Sequence, residues 1–175
     1  MFEMGKIDAN DAAAPAASRN PVLLWCGVLH AFTHGFHVVL MPLYLPMQRD
    51  LGLGSVAQST LLMTILMGAY FLPSYALGVL ADRYDRRALL GWGLCLNGLG
   101  FLVLGWAPSY WLAVVGVIVA GVGGSFYHPA ATSLIAQLFP AEHGKAFGLV
   151  GIGANVGFLF VPVYAGWSLC VLHGV

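Results

Sequence analysis

Five apolar stretches, each long enough to cross a lipid bilayer, constrain the fold of this sequence more than any other feature. A spanning helix needs about 20 consecutive apolar residues. The stretches are about Val22–Pro46, Ala57–Leu80, Ala88–Trp106, Tyr110 past Phe126 towards Phe139, and Lys145–Gly166. They predict an all-α fold, a polytopic transmembrane bundle of about five spans.

The scarcity of charge excludes most other classes of protein. Only 8% of the 175 residues are charged and 59% are apolar, whereas about a quarter of a soluble domain is charged. Seven basic residues form no patch for a phosphate backbone, so we expect no nucleic-acid partner. No nucleophile–base pair points to an enzyme, and the spacing of Cys26, Cys95 and Cys170 suggests neither a disulfide framework nor a metal site. We therefore expect no cofactor and no metal.

The basic residues predict the orientation. Residues 1–20 are polar and Ala-rich, which indicates a disordered cytoplasmic tail before a membrane domain over residues 21–175. Cytoplasmic loops carry an excess of Lys and Arg. With the amino terminus inside, only Arg49 lies outside, and the cytoplasmic side holds Lys6, Arg19, Arg83, Arg86, Arg87 and Lys145. We expect a bacterial inner-membrane protein with its amino terminus in the cytoplasm.

A charged motif follows the second stretch. Gly78 precedes Asp82 by four residues, and Arg83, Arg86 and Arg87 lie in the next turn. A glycine near the end of a span permits close approach of a neighbouring helix. An acidic residue where a span leaves the membrane needs a partner or water. A plain positive-inside anchor would need neither residue.

This motif resembles the loop between helices two and three of the major facilitator superfamily, which reads roughly G-x-L-A-D-R-x-G-R-K. The departure is Asp85, which stands where the family usually has glycine. In the family the loop is a charge-paired latch that holds one state of the transport cycle. The resemblance implies that Asp82 and Arg86 are latch residues here, with Gly78, Arg83 and Arg87 completing the motif.

The fourth and fifth stretches carry further polar and small residues. Tyr127 and His128 follow a glycine-rich run and precede Pro129. An ionisable residue within the membrane is a candidate functional group, although packing of the kink is an equal alternative for His128. Gly153 and Gly157 form a pair suited to tight helix contact.

The spacing of Gly153, Gly157, Pro162 and Gly166 resembles the fifth-helix motif of major facilitator antiporters. The histidine–proline pair and the run from Gly151 to Gly157 resemble the fosmidomycin-resistance branch of that family. The resemblance covers roughly Val22–Gly166, which implies the amino-terminal half of a transporter and a missing carboxyl-terminal half.

Three histidines share one face of the first stretch. His30, His34 and His37 fall at i, i+4 and i+7. Three roles compete for these residues. We favour lining a cavity and carrying protons. Packing by hydrogen bonding comes second, and binding of a borderline metal ion comes third. In the fosmidomycin-resistance branch an Asn-Asp pair often stands where Thr33 and His34 lie. Asn97 and Asn155 are the other polar groups expected to face inward.

The resemblance implies secondary active export of a drug-like or anionic small molecule, by proton antiport, as in drug-resistance efflux pumps. The pathway residues would be His30, His34, His37, Asn97, Tyr127, His128 and Asn155. Two alternatives stay open at this point. The chain is a nonfunctional or accessory membrane fragment, or it is a metal-binding membrane protein built on the histidine stripe.

Overall fold

Five helical spans make up the part of the chain that the computed structural model describes, which is residues 16–173. Spans one to five are Arg19–Asp50, Val56–Arg83, Arg86–Gly105, Tyr110–Leu138 and His143–Val171. Each is long and apolar enough to cross a membrane. The described residues therefore confirm the all-α, five-span fold. Residues 1–15 of the expected tail, including Lys6, lie outside the described residues.

Three of the spans are interrupted next to a proline. Pro42 lies in a short 3₁₀ turn within span one, Pro73 separates the two helices of span two, and span four breaks at Phe126, shortly before Pro129. Proline removes a backbone donor and disturbs a helix interior. The helices are α1 (Ala16–Val38), α2 (Tyr44–Asp50), α3 (Val56–Phe71), α4 (Ser74–Arg83), α5 (Arg86–Gly105), α6 (Tyr110–Ser125), α7 (Tyr127–Leu138) and α8 (His143–His173).

The first helix begins earlier than the sequence predicts. Ala16–Asn20 belong to α1, although we expected them in the disordered tail. Arg19 supplies the physical reason, because its Nη1 donates a 2.6 Å hydrogen bond to the carbonyl of Leu138 at the end of α7. The guanidinium also lies 5.2 Å from the centre of the Phe139 ring. These contacts hold the first turn of α1 against the end of span four.

Span four is the centre of the bundle. About 50% of the most apolar 18-residue segment of span four is buried, against 17–28% of the corresponding segments of the other four spans. Its first helix, α6, packs on α3 and α5, and its second helix, α7, packs on α1, α4 and α5. A cluster that includes Leu62, Leu66 and Val117 forms one part of the core, and a cluster around Leu134 and Ile135 forms the other.

Spans one and five pack so closely that their backbones touch. A Cβ added to Gly153 would collide with the carbonyl of Gly27, and one added to Gly157 would collide with the carbonyl of Ala31. Small residues spaced four apart allow this approach in membrane helices. Gly35 continues the contact, since an added Cβ would lie 3.3 Å from Cβ of Val161.

The link between α4 and α5 is only two residues long, and Asp85 explains how it turns. The Asp85 carboxylate accepts hydrogen bonds from the backbone N–H groups of Arg87 and Ala88, both at 3.2 Å. These bonds cap the amino terminus of α5. The backbone of Asp85 has φ −63° and ψ 118°, which any residue can adopt. The aspartate therefore suits this position without the freedom of glycine.

We expect Gly157→Val to destabilise the bundle, because a side chain there has to displace the backbone of span one. Overpacking of this kind typically costs about 1–3 kcal/mol. The measurement is the thermal unfolding midpoint of the purified chain in detergent, which should fall by several degrees.

Gly148→Val is the matched control, since Gly148 lies on the same helix and has open space where a Cβ would be added. It should not lose stability, because valine has a slightly higher helix propensity than glycine. Equal loss in the two variants would contradict the close packing of spans one and five.

Asp85→Ala should lower the free energy of unfolding by about 1 kcal/mol, because it removes the cap of α5. Asp85→Gly should cost only a few tenths of a kcal/mol, since glycine is tolerated at this position. Asp82→Ala is the control, because Asp82 is an exposed acidic residue in the last turn of α4. Unfolding in detergent measures all three, and an Asp85→Ala variant as stable as the Asp82→Ala control would refute the cap.

Candidate functional site

Four histidines from two spans meet in the interior of the bundle. His30, His34 and His37 come from α1, and His128 comes from α7. The ring centre of His128 lies 5.4 Å from that of His30 and 5.5 Å from that of His34. We call these four residues the histidine cluster. His34 and His128 each lie near the middle of their spans by residue count.

The break in span four positions His128. Phe126 separates α6 from α7, and α7 begins at Tyr127, so His128 and Pro129 lie in its first turn. Proline is well tolerated in the first turn of a helix, where a missing N–H leaves no hydrogen bond unmade. Pro129 thus marks the start of a new helix rather than a kink within one. The new helix carries His128 on the side that faces α1.

Two hydrogen bonds determine which nitrogens of the cluster carry protons. Nδ1 of His30 lies 2.9 Å from the carbonyl oxygen of Val150 on α8. A carbonyl only accepts, so Nδ1 of His30 carries the hydrogen and Nε2 of the neutral ring has a lone pair. Nε2 of His34 lies 3.0 Å from that lone pair. Nε2 of His34 therefore donates, which leaves its Nδ1 as an acceptor.

Aromatic rings enclose the cluster. The ring of Tyr127 stacks on His30, with centres 4.9 Å apart, and its hydroxyl donates a 2.6 Å hydrogen bond to the carbonyl of Cys26. Phe158 of α8 covers His34 at 4.6 Å, and Tyr70 of α3 meets His37 edge-on at 4.1 Å. Rings from α7, α8 and α3 thus pack against His30, His34 and His37, in that order.

Three buried polar atoms of this region lack a hydrogen-bond partner among the described residues. They are Nδ1 of His34, Nε2 of His37 and the hydroxyl of Tyr70. A buried polar atom without a partner typically costs about 1–3 kcal/mol. Such atoms are rare in native structures, and each needs a physical explanation. The exposed side chain of His128 gives the cluster an accessible side.

The two asparagines lie apart from the histidines. Nδ2 of Asn97 donates a 2.7 Å hydrogen bond to the carbonyl of Ala120, within the contact between spans three and four. Asn97 is buried and serves that packing contact. Asn155 is exposed on α8, one helical turn before Phe158. It thus lies on the same helix face as the ring that covers His34.

The charged motif after span two forms a separate region. Arg86 is buried, and its Nε donates a 2.7 Å hydrogen bond to the hydroxyl of Ser133 on α7. This bond ties the start of span three to span four. Asp82 and Arg83 are exposed, and Arg87 is exposed beside them. No atom of another described helix lies within 4 Å of a Cβ added at Gly78, so the expected close approach there is not seen.

The small residues of span five differ in role. Gly153 and Gly157 make the backbone contacts with span one described above. Gly166 has open space around it among the described residues, and Pro162 lies within the continuous helix α8. Only the first two glycines of the motif therefore bring helices together in this part of the chain.

Sequence reasoning missed three contributors to the site. Tyr70 lies in an apolar run of span two, Phe158 is one of many aromatic residues in span five, and Val150 contributes only a carbonyl. None carries a motif. Their roles depend on how the helices pack, which spacing along one helix does not reveal.

Comparison with known proteins gives a family. The family model of the Major Facilitator Superfamily matches residues 17–174. Two curated relatives are named "Multidrug resistance protein MdtH". The protein from Shigella dysenteriae serotype 1 (strain Sd197) is 26% identical over 92 residues, and that from Enterobacter sp. (strain 638) is 28% identical over 93. Each match covers 53% of this chain and 23% of the relative. No solved structure matches.

These matches agree with the five apolar helices. The match of the family model extends over almost all the described residues, from the first turn of α1 to the last turn of α8. The chain belongs to the major facilitator superfamily and is an integral membrane protein.

Proposed function

We propose that this chain forms most of the amino-terminal half of a proton-coupled drug exporter, and that the histidine cluster carries the proton. The names of the relatives favour drug efflux as the activity. The resemblance to the fosmidomycin-resistance branch favours a small anionic or drug-like substrate. The orientation with a cytoplasmic amino terminus follows from the bias of basic residues.

The observation that carries this proposal is the hydrogen-bonded pair of His30 and His34. Proton coupling needs a titratable group within the membrane. Asp50 and Asp82 lie at the ends of spans one and two, and the five spans hold no other acidic residue, so the imidazoles are the groups there that titrate near neutral pH. Imidazole exchanges protons near neutral pH, with a pKa of about 6.5 when free.

The geometry defines a proton-transfer step. A proton first binds Nδ1 of His34, the buried acceptor without a partner. The proton on Nε2 of His34 then passes across 3.0 Å to Nε2 of His30. His30 becomes an imidazolium held by the carbonyl of Val150, and His34 returns to a neutral ring. The charge has moved by one ring, and no other group changes its proton count.

The spacing of the rings also sets the number of protons. Two unit charges 4 Å apart repel by about 4 kcal/mol at an effective dielectric constant of 20. His30 and His34 are at least that close, so the pair holds one extra proton at a time. We infer an exchange of one proton for each substrate molecule through this pair.

The charged motif after span two fits a gating role in this proposal. The bond from Arg86 to Ser133 joins spans three and four at the cytoplasmic end in the proposed orientation. Alternating access in this family rocks one half against the other. We infer that exposed Asp82 and Arg83 pair with the second half in one state and separate from it in the other.

Replacement of His34 by glutamine should abolish proton-coupled export. Glutamine keeps hydrogen-bonding capacity but does not titrate. The measurement is efflux of a fluorescent anionic dye from bacterial cells that lack their own efflux pumps and express the complete reading frame containing this chain. We expect efflux by the His34→Gln variant to fall to the level of the empty vector at unchanged protein abundance.

His143→Gln is the control, because His143 is exposed at the start of α8, outside the histidine cluster. It should keep wild-type efflux and wild-type dependence on external pH. If His34→Gln also retains efflux with an unchanged pH profile, the histidine pair does not carry the proton. If neither wild type nor control exports any dye above vector, this drug-efflux assignment is overturned.

The half-transporter part of the proposal has its own test. The matched segment spans 23% of the relatives' length, so a larger whole is expected. We expect the intact mass of the denatured protein from its native membrane to be about twice 18.6 kDa or more. A mass of 18.6 kDa would mean that a second half, if one exists, is a separate chain. Without such a chain in the purified complex, the accessory-fragment alternative would replace the transporter.

A further inference from the structure

Three imidazoles of the histidine cluster converge in a way that one metal ion would satisfy. Each of His30, His34 and His128 offers one ring nitrogen, and the three atoms lie within 4.8 Å of one another. We propose that these residues form a binding site for a single divalent transition-metal ion of the zinc, nickel or copper(II) class. The site joins span one to span four.

Sequence analysis alone did not predict this site. The sequence placed His30 and His34 on one helix face together with His37. His128 lies 94 positions beyond His34, and only the start of α7 at Tyr127 brings it to α1. The structure thus groups His30 and His34 with His128, whereas the alternative left open by the sequence placed the metal on His30, His34 and His37.

The surroundings of His30 match those of a metal-bound histidine. A ligand histidine usually donates its second ring N–H to a carboxylate or a backbone carbonyl, which fixes the ring and raises its basicity. The bond from Nδ1 of His30 to the carbonyl of Val150 has this form. It leaves the Nε2 lone pair of His30 directed at His34, where the ion would lie.

The distances are close to those that a tetrahedral ion requires. Zinc–nitrogen bonds of about 2.0–2.1 Å place two ligand nitrogens about 3.4 Å apart in a tetrahedron. Nε2 of His30 and Nε2 of His34 are 3.0 Å apart, slightly closer than that. The largest separation, 4.8 Å, has to shorten by about 1.4 Å, relative to the ideal geometry. His128 is the exposed member and has room to rotate.

The ligand chemistry selects the class of ion. Neutral imidazole prefers zinc, copper, nickel and iron, whereas calcium and magnesium prefer oxygen ligands. Binding through Nε2 of His34 requires its proton to move to Nδ1 of the same ring, an atom with no partner among the described residues. Three protein ligands leave a fourth position open to water or to an anionic group of a substrate.

This inference does not depend on drug export, since the metal site is a property of the purified chain. We expect the chain, produced with an affinity tag free of histidine, to bind one Co²⁺ per molecule in detergent. The visible absorption bands should be those of a four-coordinate Co²⁺ site, and Zn²⁺ should displace the cobalt. His34→Gln and His128→Gln should each weaken Co²⁺ binding at least tenfold.

His143→Gln is the matched control and should bind Co²⁺ as tightly as the wild type. Far-UV circular dichroism and size-exclusion elution check that every variant is folded. If a cluster variant does not fold, X-ray absorption of the zinc-loaded wild type decides instead. Three nitrogen neighbours at about 2.0–2.1 Å support the site. A shell of oxygen alone, no binding by the wild type, or equal binding by all folded variants overturns the proposal.

Discussion

The contact between the backbones of spans one and five is the interaction on which the candidate site depends. Gly153 and Gly157 allow α8 to lie directly on the carbonyls of Gly27 and Ala31. At this separation the carbonyl of Val150 reaches the ring of His30. A bulkier side chain in the contact would force the helices apart and remove that acceptor. The tautomer of His30, and through it the donor role of His34, therefore follows from the small size of two residues on another helix.

Span four contributes the second constraint. An unbroken helix from Tyr110 to Leu138 would carry His128 at an angle fixed by α6. The break at Phe126 gives α7 its own direction, and α7 then packs on α1, α4 and α5. In lipid, a helix break is tolerated only where protein or a water-filled cavity satisfies the freed backbone groups. The central position of span four meets that condition, since half of its most apolar 18-residue segment is buried.

Much of this architecture was predictable because it depends on local composition. The length of the apolar stretches determined the five spans, and the i, i+4, i+7 spacing placed His30, His34 and His37 on one face. The helical state of Ala16–Asn20 was not predictable, because it depends on the bond from Arg19 to a carbonyl 119 residues away. The contributions of Tyr70 and Val150 to the site were not predictable for the same reason. A contact between helices depends on the separation and rotation of both helices, and the sequence of one helix gives neither quantity.

Asn97 shows that the presence of a polar residue in an apolar span does not reveal its role. A polar residue in an apolar span was expected to face the pathway, yet its amide bonds the carbonyl of Ala120 between spans three and four. Buried amides that hold two helices together look the same in sequence as amides that line a cavity. The histidines differ, because Nδ1 of His34 and Nε2 of His37 stay without partners among the described residues. The lack of a partner distinguishes these two nitrogens from the amide of Asn97.

A proton and a metal ion are the two proposed occupants of the pair formed by His30 and His34, and they exclude each other. Both need the Nε2 lone pair of His30, which accepts from His34 in the neutral cluster. An ion held there removes the acceptor of the proton-transfer step, and a proton on His30 removes a ligand of the ion. Export driven by protons through this pair should therefore stop when the metal site is filled. The two proposals thus describe competing occupants of one set of nitrogens, and the ratio of proton to metal activity would decide which one the cluster holds.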